Sequence, residues 1–216
     1  VDRGKMVVQL DKNLWFPDPR QGDPDGCIAV GGDLSVDRLL LAYSNGIFPW
    51  YAFRYCDIEW FCPLERFVIF PEEIHISHSM RTLMNQGRYR LSINEAFGSV
   101  INTCSELRIK EEYAWLGPQM REAYKELYRQ GFAASVEVWD GGRLVGGLYG
   151  VCIGRAFFGE SMFSLVPSAS KLALIYLARK MQETGGTVID CQFETAHLKS
   201  MGGRYISYEK YLKLLC

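Results

Sequence analysis

Histidine is scarce in this chain, with three in 216 residues. Neither a serine–histidine nor a cysteine–histidine arrangement has local support, which argues against a hydrolase-type covalent mechanism. The seven cysteines (Cys27, Cys56, Cys62, Cys104, Cys152, Cys191 and Cys216) are odd in number and form no Cys-x-x-Cys pair. No metal site is expected from them, and scattered thiols fit a reduced, cytoplasmic setting. No apolar run is long enough to span a membrane, and the N-terminus lacks the pattern of a signal peptide, with Met6 the expected natural start. An excess of positive charge is also missing: 24 Lys and Arg face 25 Asp and Glu, for a net charge of −1. A nucleic acid partner would therefore have to be held by a local basic patch.

Apolar side chains make up 48% of the chain, enough to bury the core of one or two domains. Residues 6–34 read as loop-rich, with extended backbone forced at Trp15-Phe16-Pro17-Asp18-Pro19. Ser35 is an expected N-cap for a helix carrying Leu39, Leu40 and Tyr43 and ending at Gly46. Ile47-Phe48-Pro49-Trp50-Tyr51 and Ile58-Glu59-Trp60-Phe61-Cys62-Pro63 make a rigid apolar wall. It is either a binding surface or the small core of an N-terminal domain over residues 1–65.

From residue 66 onward the pattern changes. Phe67–Phe70 and Tyr89–Ile93 alternate as strands, and Ser77, Asn94 and Pro118 start helices. Three strands follow over 134–139, 144–151 and 156–163, the first pair joined by a hairpin at Asp140-Gly141-Gly142. Ser168 or Ser170 caps a long helix closed by Gly185-Gly186. Residues 187–192 read as a buried strand, with further helices from Thr195 and Ser207. The order is α+β, a mostly antiparallel sheet whose last crossover carries a helix, and it suits a GNAT-like acyltransferase domain over 66–216.

Three polar side chains fall in segments that should be buried. Glu160 interrupts the apolar run Phe157-Phe158-Gly159-Glu160-Ser161-Met162-Phe163. Period-2 alternation places it on one face with Phe158 and Met162. Asp190 and Gln192 lie two apart in the next expected strand and so share a face. A single buried acid can be structural, paired with an arginine such as Arg155. Two acids and an amide on successive strands each need a partner and point to a site. Gln192 is too weak a base to take a proton, but its carbonyl can accept a hydrogen bond from an amine. Asp190 can position it, and Glu160 can hold an ammonium. The set suits an amine nucleophile attacking an acyl group.

Read in order, Phe16-Pro17-Asp18-Pro19, Ala29-Val30-Gly31-Gly32-Asp33-Leu34, Gly46–Tyr51, Ser135-Val136-Glu137-Val138-Trp139, Gly146-Gly147-Leu148-Tyr149-Gly150, Phe157–Phe163 and Asp190-Cys191-Gln192 cover nearly the whole chain. Together they resemble the bacterial leucyl/phenylalanyl-tRNA–protein transferases. The resemblance implies transfer of leucine or phenylalanine, and methionine less well, from aminoacyl-tRNA to the N-terminal arginine or lysine of a protein, which marks that protein for N-degron degradation. It implies no metal or other cofactor, and a small N-terminal domain before a GNAT-like one. By motif, Asp190 and Gln192 match the catalytic pair, and Glu160 the acid of the aminoacyl pocket. Phe158, Gly159, Met162 and Ile189 would line that pocket. Trp50 and Trp115 would flank the terminal adenosine of the tRNA, with Arg81 and Arg88 on its backbone. A monomer is the default expectation.

The chain departs from the family pattern around His75–Arg88. Few basic residues stand there, and His78 takes the place of an arginine. Trp60-Phe61-Cys62-Pro63 stands for a more usual Trp-Trp-Ser-Pro. Fewer phosphate contacts imply weaker tRNA binding and a shallower salt dependence. Two other classes compete. An acyl-coenzyme A acetyltransferase needs a glycine-rich pyrophosphate loop at a helix N-terminus, and Ser164-Leu165-Val166-Pro167-Ser168-Ala169-Ser170-Lys171 is not one. A non-catalytic tRNA- or peptide-binding module would not need Glu160, Asp190 and Gln192 together.

Overall fold

A computed structural model describes residues 7–51, 58–108 and 116–215. The first part of the chain supplies β1 (Val8–Leu10), β2 (Cys27–Gly31), α1 (Val36–Ser44), β3 (Phe48–Tyr51) and β4 (Ile58–Phe61). Its strands form a four-stranded sheet in the order β1-β2-β4-β3. Ser35 caps α1 as expected, its hydroxyl accepting from the Arg38 N–H.

The remainder contributes β5 (Glu65–Ile69), α2 (His78–Asn85), β6 (Arg90–Ile93), α3 (Phe97–Arg108), α4 (Pro118–Arg129), β7 (Ala133–Asp140), β8 (Arg143–Ile153), β9 (Ala156–Ser164), α5 (Ala169–Thr184), β10 (Val188–Asp190), α6 (Ala196–Ser200), β11 (Arg204–Ser207) and α7 (Tyr208–Leu215). These strands form a seven-stranded sheet, β11-β5-β10-β9-β8-β7-β6. Its pairings are antiparallel except β9 with β10, which the α5 crossover makes parallel. The mixed α+β reading and its helix-bearing last crossover are therefore observed.

Residue 65 separates the strands of the two sheets, but it does not separate two cores. One continuous cluster joins Leu39, Tyr43 and Trp60 of the first part to Phe158, Phe163 and Tyr211 of the second. A second cluster lies where α5 packs Leu172, Leu174 and Ile175 with Phe157 and Ile189.

Four local expectations need correction. The strand expected over 187–192 stops at Asp190, because Gln192 adopts φ 57°, a left-handed conformation no strand accommodates. Asn94 does not cap α3. It has φ 60°, and its side-chain carbonyl instead accepts from the Ser135 N–H at 2.9 Å. The exposed N–H groups of Glu95 and Ala96 are taken by the buried Glu137 carboxylate at 3.4 and 3.3 Å. Ser168, at φ 67°, precedes α5 without a side-chain cap. Finally, β11 adds a strand between α6 and α7 that is only four residues long and buries only Ile206, too little for alternation to register.

The most consequential correction concerns β9. Tyr149 of β8 pairs with Ser161, but its neighbour Gly150 pairs with Gly159. Glu160 is the extra residue of a β-bulge, and a bulge reverses the alternation beyond it. Phe158 and Met162 therefore fall on opposite faces: Phe158 packs with the cluster of Tyr43, Met162 with that of α5. The glycines of β8 permit the close approach. A Cβ on Gly150 would overlap the Phe158 carbonyl oxygen, and one on Gly147 would sit 2.7 Å from the Val136 carbonyl oxygen.

Candidate functional site

Two cavities meet at the bulge. The larger, about 440 Å³, is walled by Leu148, Phe157, Met162, Leu174, Leu177 and Ile189, with Gly159 at its edge. The smaller, about 150 Å³, is an aromatic slot between Phe48, Pro49, Trp50 and Phe193. Glu160, Gln192, Phe193 and Arg108 border both. Gly159, Met162 and Ile189 thus line one cavity together. Phe158 does not: it lies behind the site, edge-on to Tyr43 at 5.0 Å between ring centroids. Phe157 takes its place in the wall, as the bulge requires.

Glu160 is half-buried. The Tyr43 hydroxyl donates to its Oε1 at 2.7 Å and the Tyr124 hydroxyl to its Oε2 at 2.7 Å. The two hydroxyls also touch each other at 2.8 Å. These three oxygen contacts close a ring. With Glu160 ionised the ring holds only two protons, one per hydroxyl, so one contact lacks a hydrogen; with Glu160 protonated every contact can have one. Burial pushes the Glu160 carboxyl up to about 7, against the lowering effect of the two tyrosine hydrogen bonds and the nearby Arg66, with Asp190 adding to the rise. Burial first, then the charge of Glu160, holds both tyrosines well above their usual range.

A raised carboxyl pKa keeps its proton in the folded state at pH values where the unfolded chain has lost it. The stability that Glu160 contributes is therefore full below its unfolded value of 4.5 and falls as pH rises toward about 7. Glu160→Gln mimics the protonated form at every pH. Its stability relative to the unsubstituted protein should thus increase from pH 5 to pH 8, as thermal unfolding of the two proteins side by side would record.

Asp190 is fully buried and does not line either cavity. Its Oδ1 accepts the Gln192 backbone N–H at 2.8 Å, and its Oδ2 accepts the Tyr211 hydroxyl at 2.5 Å. The buried Arg66 lies 3.7 Å from Oδ2 and stacks on Tyr211. Asp190 therefore positions Gln192 through the main chain. It does so against strain: Phe193 N–H donates to the Cys191 carbonyl at 2.6 Å around Gln192 at φ 57°, a γ-turn of the rare, strained hand. The turn carries the Gln192 amide to within 3.4 Å of Glu160. Gln192 and Glu160 meet, then, although Gln192 lies beyond the strand and does not share a face of it with Asp190.

Trp50 is exposed at the slot, its ring 5.6 Å from that of Phe193. Trp115 lies outside the described residues. Arg81 and Arg88 line neither cavity; Arg88 pairs with Asp140 at 2.6 Å, and the Arg81 Nε donates to the Ile76 carbonyl. Arg155 serves the end of α5 through the Gly185 carbonyl and not Glu160. His197 also lines the larger cavity; its Nε2 is buried and unpartnered, and burial, with the charge of Lys171, lowers its pKa.

Sequence reasoning missed Tyr43, Tyr124, Phe193, Arg108 and Phe157. Tyr43 was legible only as a member of a helical stripe. The usable signal was chemical: a tyrosine on a core-facing stripe carries a hydroxyl that needs a partner.

The sequence profile of the leucyl/phenylalanyl-tRNA protein transferases matches residues 68–216. The chain belongs to the leucyl/phenylalanyl-tRNA–protein transferase family. A profile for the N-terminal domain of the same family matches residues 32–64. Relatives of that name are similar along nearly their whole length. The one from Nitrosomonas eutropha is 47% identical over 212 residues, 97% of this chain and 90% of the relative. The one from Pseudomonas fluorescens is 46% identical, covering 97% and 94%. Among solved structures, an aminoglycoside acetyltransferase from a soil metagenome aligns over 59% of this chain and 88% of its own at TM-score 0.41 and 10% identity, a likeness that carries no argument. As a member of this family the protein is an aminoacyltransferase.

Proposed function

We propose that this protein moves a leucyl or phenylalanyl group from aminoacyl-tRNA to the α-amine of a protein that begins with arginine or lysine. Methionyl-tRNA is a weaker donor, and the product is marked for N-degron degradation. The observation that carries the reading is the junction of the two cavities at Glu160 and Gln192. The apolar cavity takes the transferred side chain and the aromatic slot takes the terminal adenosine, so the ester lies between them beside Gln192.

The donor is already an activated ester, and an α-amine has a pKa of about 7.7–8.0, so an appreciable neutral fraction exists near neutral pH. Positioning then supplies much of the rate. Gln192 orients the amine, Asp190 fixes Gln192, and Glu160 faces the ammonium of donor or acceptor. Arg81 and Arg88 contact the tRNA backbone. The reading further includes an N-terminal domain over 1–65, a GNAT-like domain over 66–216, no cofactor, and a cytoplasmic monomer.

Leucyl-tRNA offered with a peptide beginning with arginine should give a Leu–Arg peptide, read by mass spectrometry. No transfer from the tRNA, together with acetylation of the peptide from acetyl-coenzyme A, would overturn the proposal. Trp50→Ala should weaken donor binding by about 1–3 kcal/mol through the lost stacking of one base. Titration of the variant with aminoacyl-tRNA measures it.

A further inference from the structure

Arg108 ends α3 and borders both cavities, with Glu160, Gln192 and Phe193 as the other residues common to the two. Among the described residues lining the cavities it is the one arginine or lysine. Its Nε donates to the Ser161 hydroxyl at 2.9 Å. Ser161 is the residue after the bulged Glu160, so the distortion that sets the carboxylate also fixes one edge of the guanidinium. The proposed function puts the ester carbonyl at this same junction.

Resting on that reading, we propose that Arg108 is a catalytic residue of the transfer, donating hydrogen bonds to the carbonyl oxygen of the aminoacyl ester. The α-amine lone pair bonds to the carbonyl carbon and the C=O π pair moves onto oxygen. The guanidinium stabilises that oxyanion. The pair then returns, the bond from carbon to the ribose oxygen breaks, and the departing oxygen takes up the proton that the nitrogen loses. A planar, permanently charged donor suits a charge that appears only in the transition state. A phosphate contact fits the placement less well. The phosphate of the terminal nucleotide lies beyond the ribose, on the slot side, whereas Arg108 also borders the side-chain cavity.

The test is single-turnover transfer from saturating leucyl-tRNA to a peptide beginning with arginine, for Arg108→Ala, Arg108→Lys and Ser161→Ala. Donor affinity and thermal unfolding are measured in parallel. Arg108→Ala should slow transfer about 100–1000-fold, the usual effect of losing one oxyanion donor, with donor affinity nearly unchanged and partial recovery on adding guanidinium ion. Ser161→Ala should show a smaller loss in the same rate, and it keeps the assignment testable if Arg108→Ala does not fold. A full rate at saturation with weakened donor binding would make Arg108 a binding residue only and overturn the assignment. If the unsubstituted protein transfers nothing, the functional reading fails and this assignment with it. If it transfers and Arg108→Ala and Ser161→Ala match it, the assignment alone fails.

Discussion

Asp190→Ala should lower stability by about 3–5 kcal/mol, the cost of stranding one member of a buried ion pair. Arg66 and Asp190 are both fully buried, and Arg66 already has Nη1 and Nε without hydrogen-bond partners. Removing the carboxylate leaves that charge without its buried partner. It also strands the Tyr211 hydroxyl and the Gln192 N–H. For a chain of this size the unfolding midpoint should fall by about 6–20 °C. Activity lost in this variant would therefore say little about chemistry. Replacing both members at once, Asp190→Leu with Arg66→Met, should recover a large part of the stability, because apolar replacements of a buried pair are often close to neutral. The doubly substituted protein should nonetheless transfer poorly, since the strained turn at Gln192 loses the carboxylate that accepts its N–H and keeps only the Phe67 backbone. Calorimetry and a transfer assay on both variants separate the two roles.

Gly150→Ala should be the most damaging single-methyl change in the large sheet. The added carbon would overlap the Phe158 carbonyl oxygen and lie 2.6 Å from two atoms of the Phe157 ring. Overpacking of this kind costs about 1–3 kcal/mol. The larger effect should be on transfer. The clash falls on the rung where β8 and β9 shift register, so relief moves the backbone that aims Glu160, and a displacement of about 1 Å at a reacting centre can cost about 100-fold. Gly142→Ala is the comparison, because a Cβ there meets nothing within 4 Å. It should stay within about 0.5 kcal/mol and keep full activity. If the two alanine variants behave alike, the bulge is not what positions the acid.

These variants mark where sequence reasoning ended. The elements with long periodic stripes or strong turn residues, such as α1, α4, α5 and the β7–β8 hairpin, were legible from side-chain pattern alone. So was the convergence of Glu160, Asp190 and Gln192, because buried polar groups in apolar runs are costly wherever they occur. Two features were not. The bulge changes no residue type: Phe157–Phe163 reads as uninterrupted alternation, and the register shift arises from what β8 offers across the ladder. The turn at Gln192 is hidden for the opposite reason. Glutamine has no preference for positive φ, so nothing local announces it. The conformation is imposed by Asp190 from one side and by the Phe67 backbone, which exchanges hydrogen bonds with Cys191 and Gln192, from the other. Both failures moved a side chain from one face to another, which explains why Phe158 was exchanged for Phe157 in the cavity wall.

The closed ring of Tyr43, Tyr124 and Glu160 joins α1 of the first part of the chain to α4 and β9 of the second. Its third proton is held toward neutral pH only while the carboxyl stays buried between the two hydroxyls. Parting α1 from β9 would return the carboxylate to water, where near neutral pH the proton is released. The hydrogen ion is thus a ligand of this internal interface, bound where the three groups pack together and released wherever the carboxyl meets water. By mass action, each fall in pH through the neutral range favours the docked arrangement.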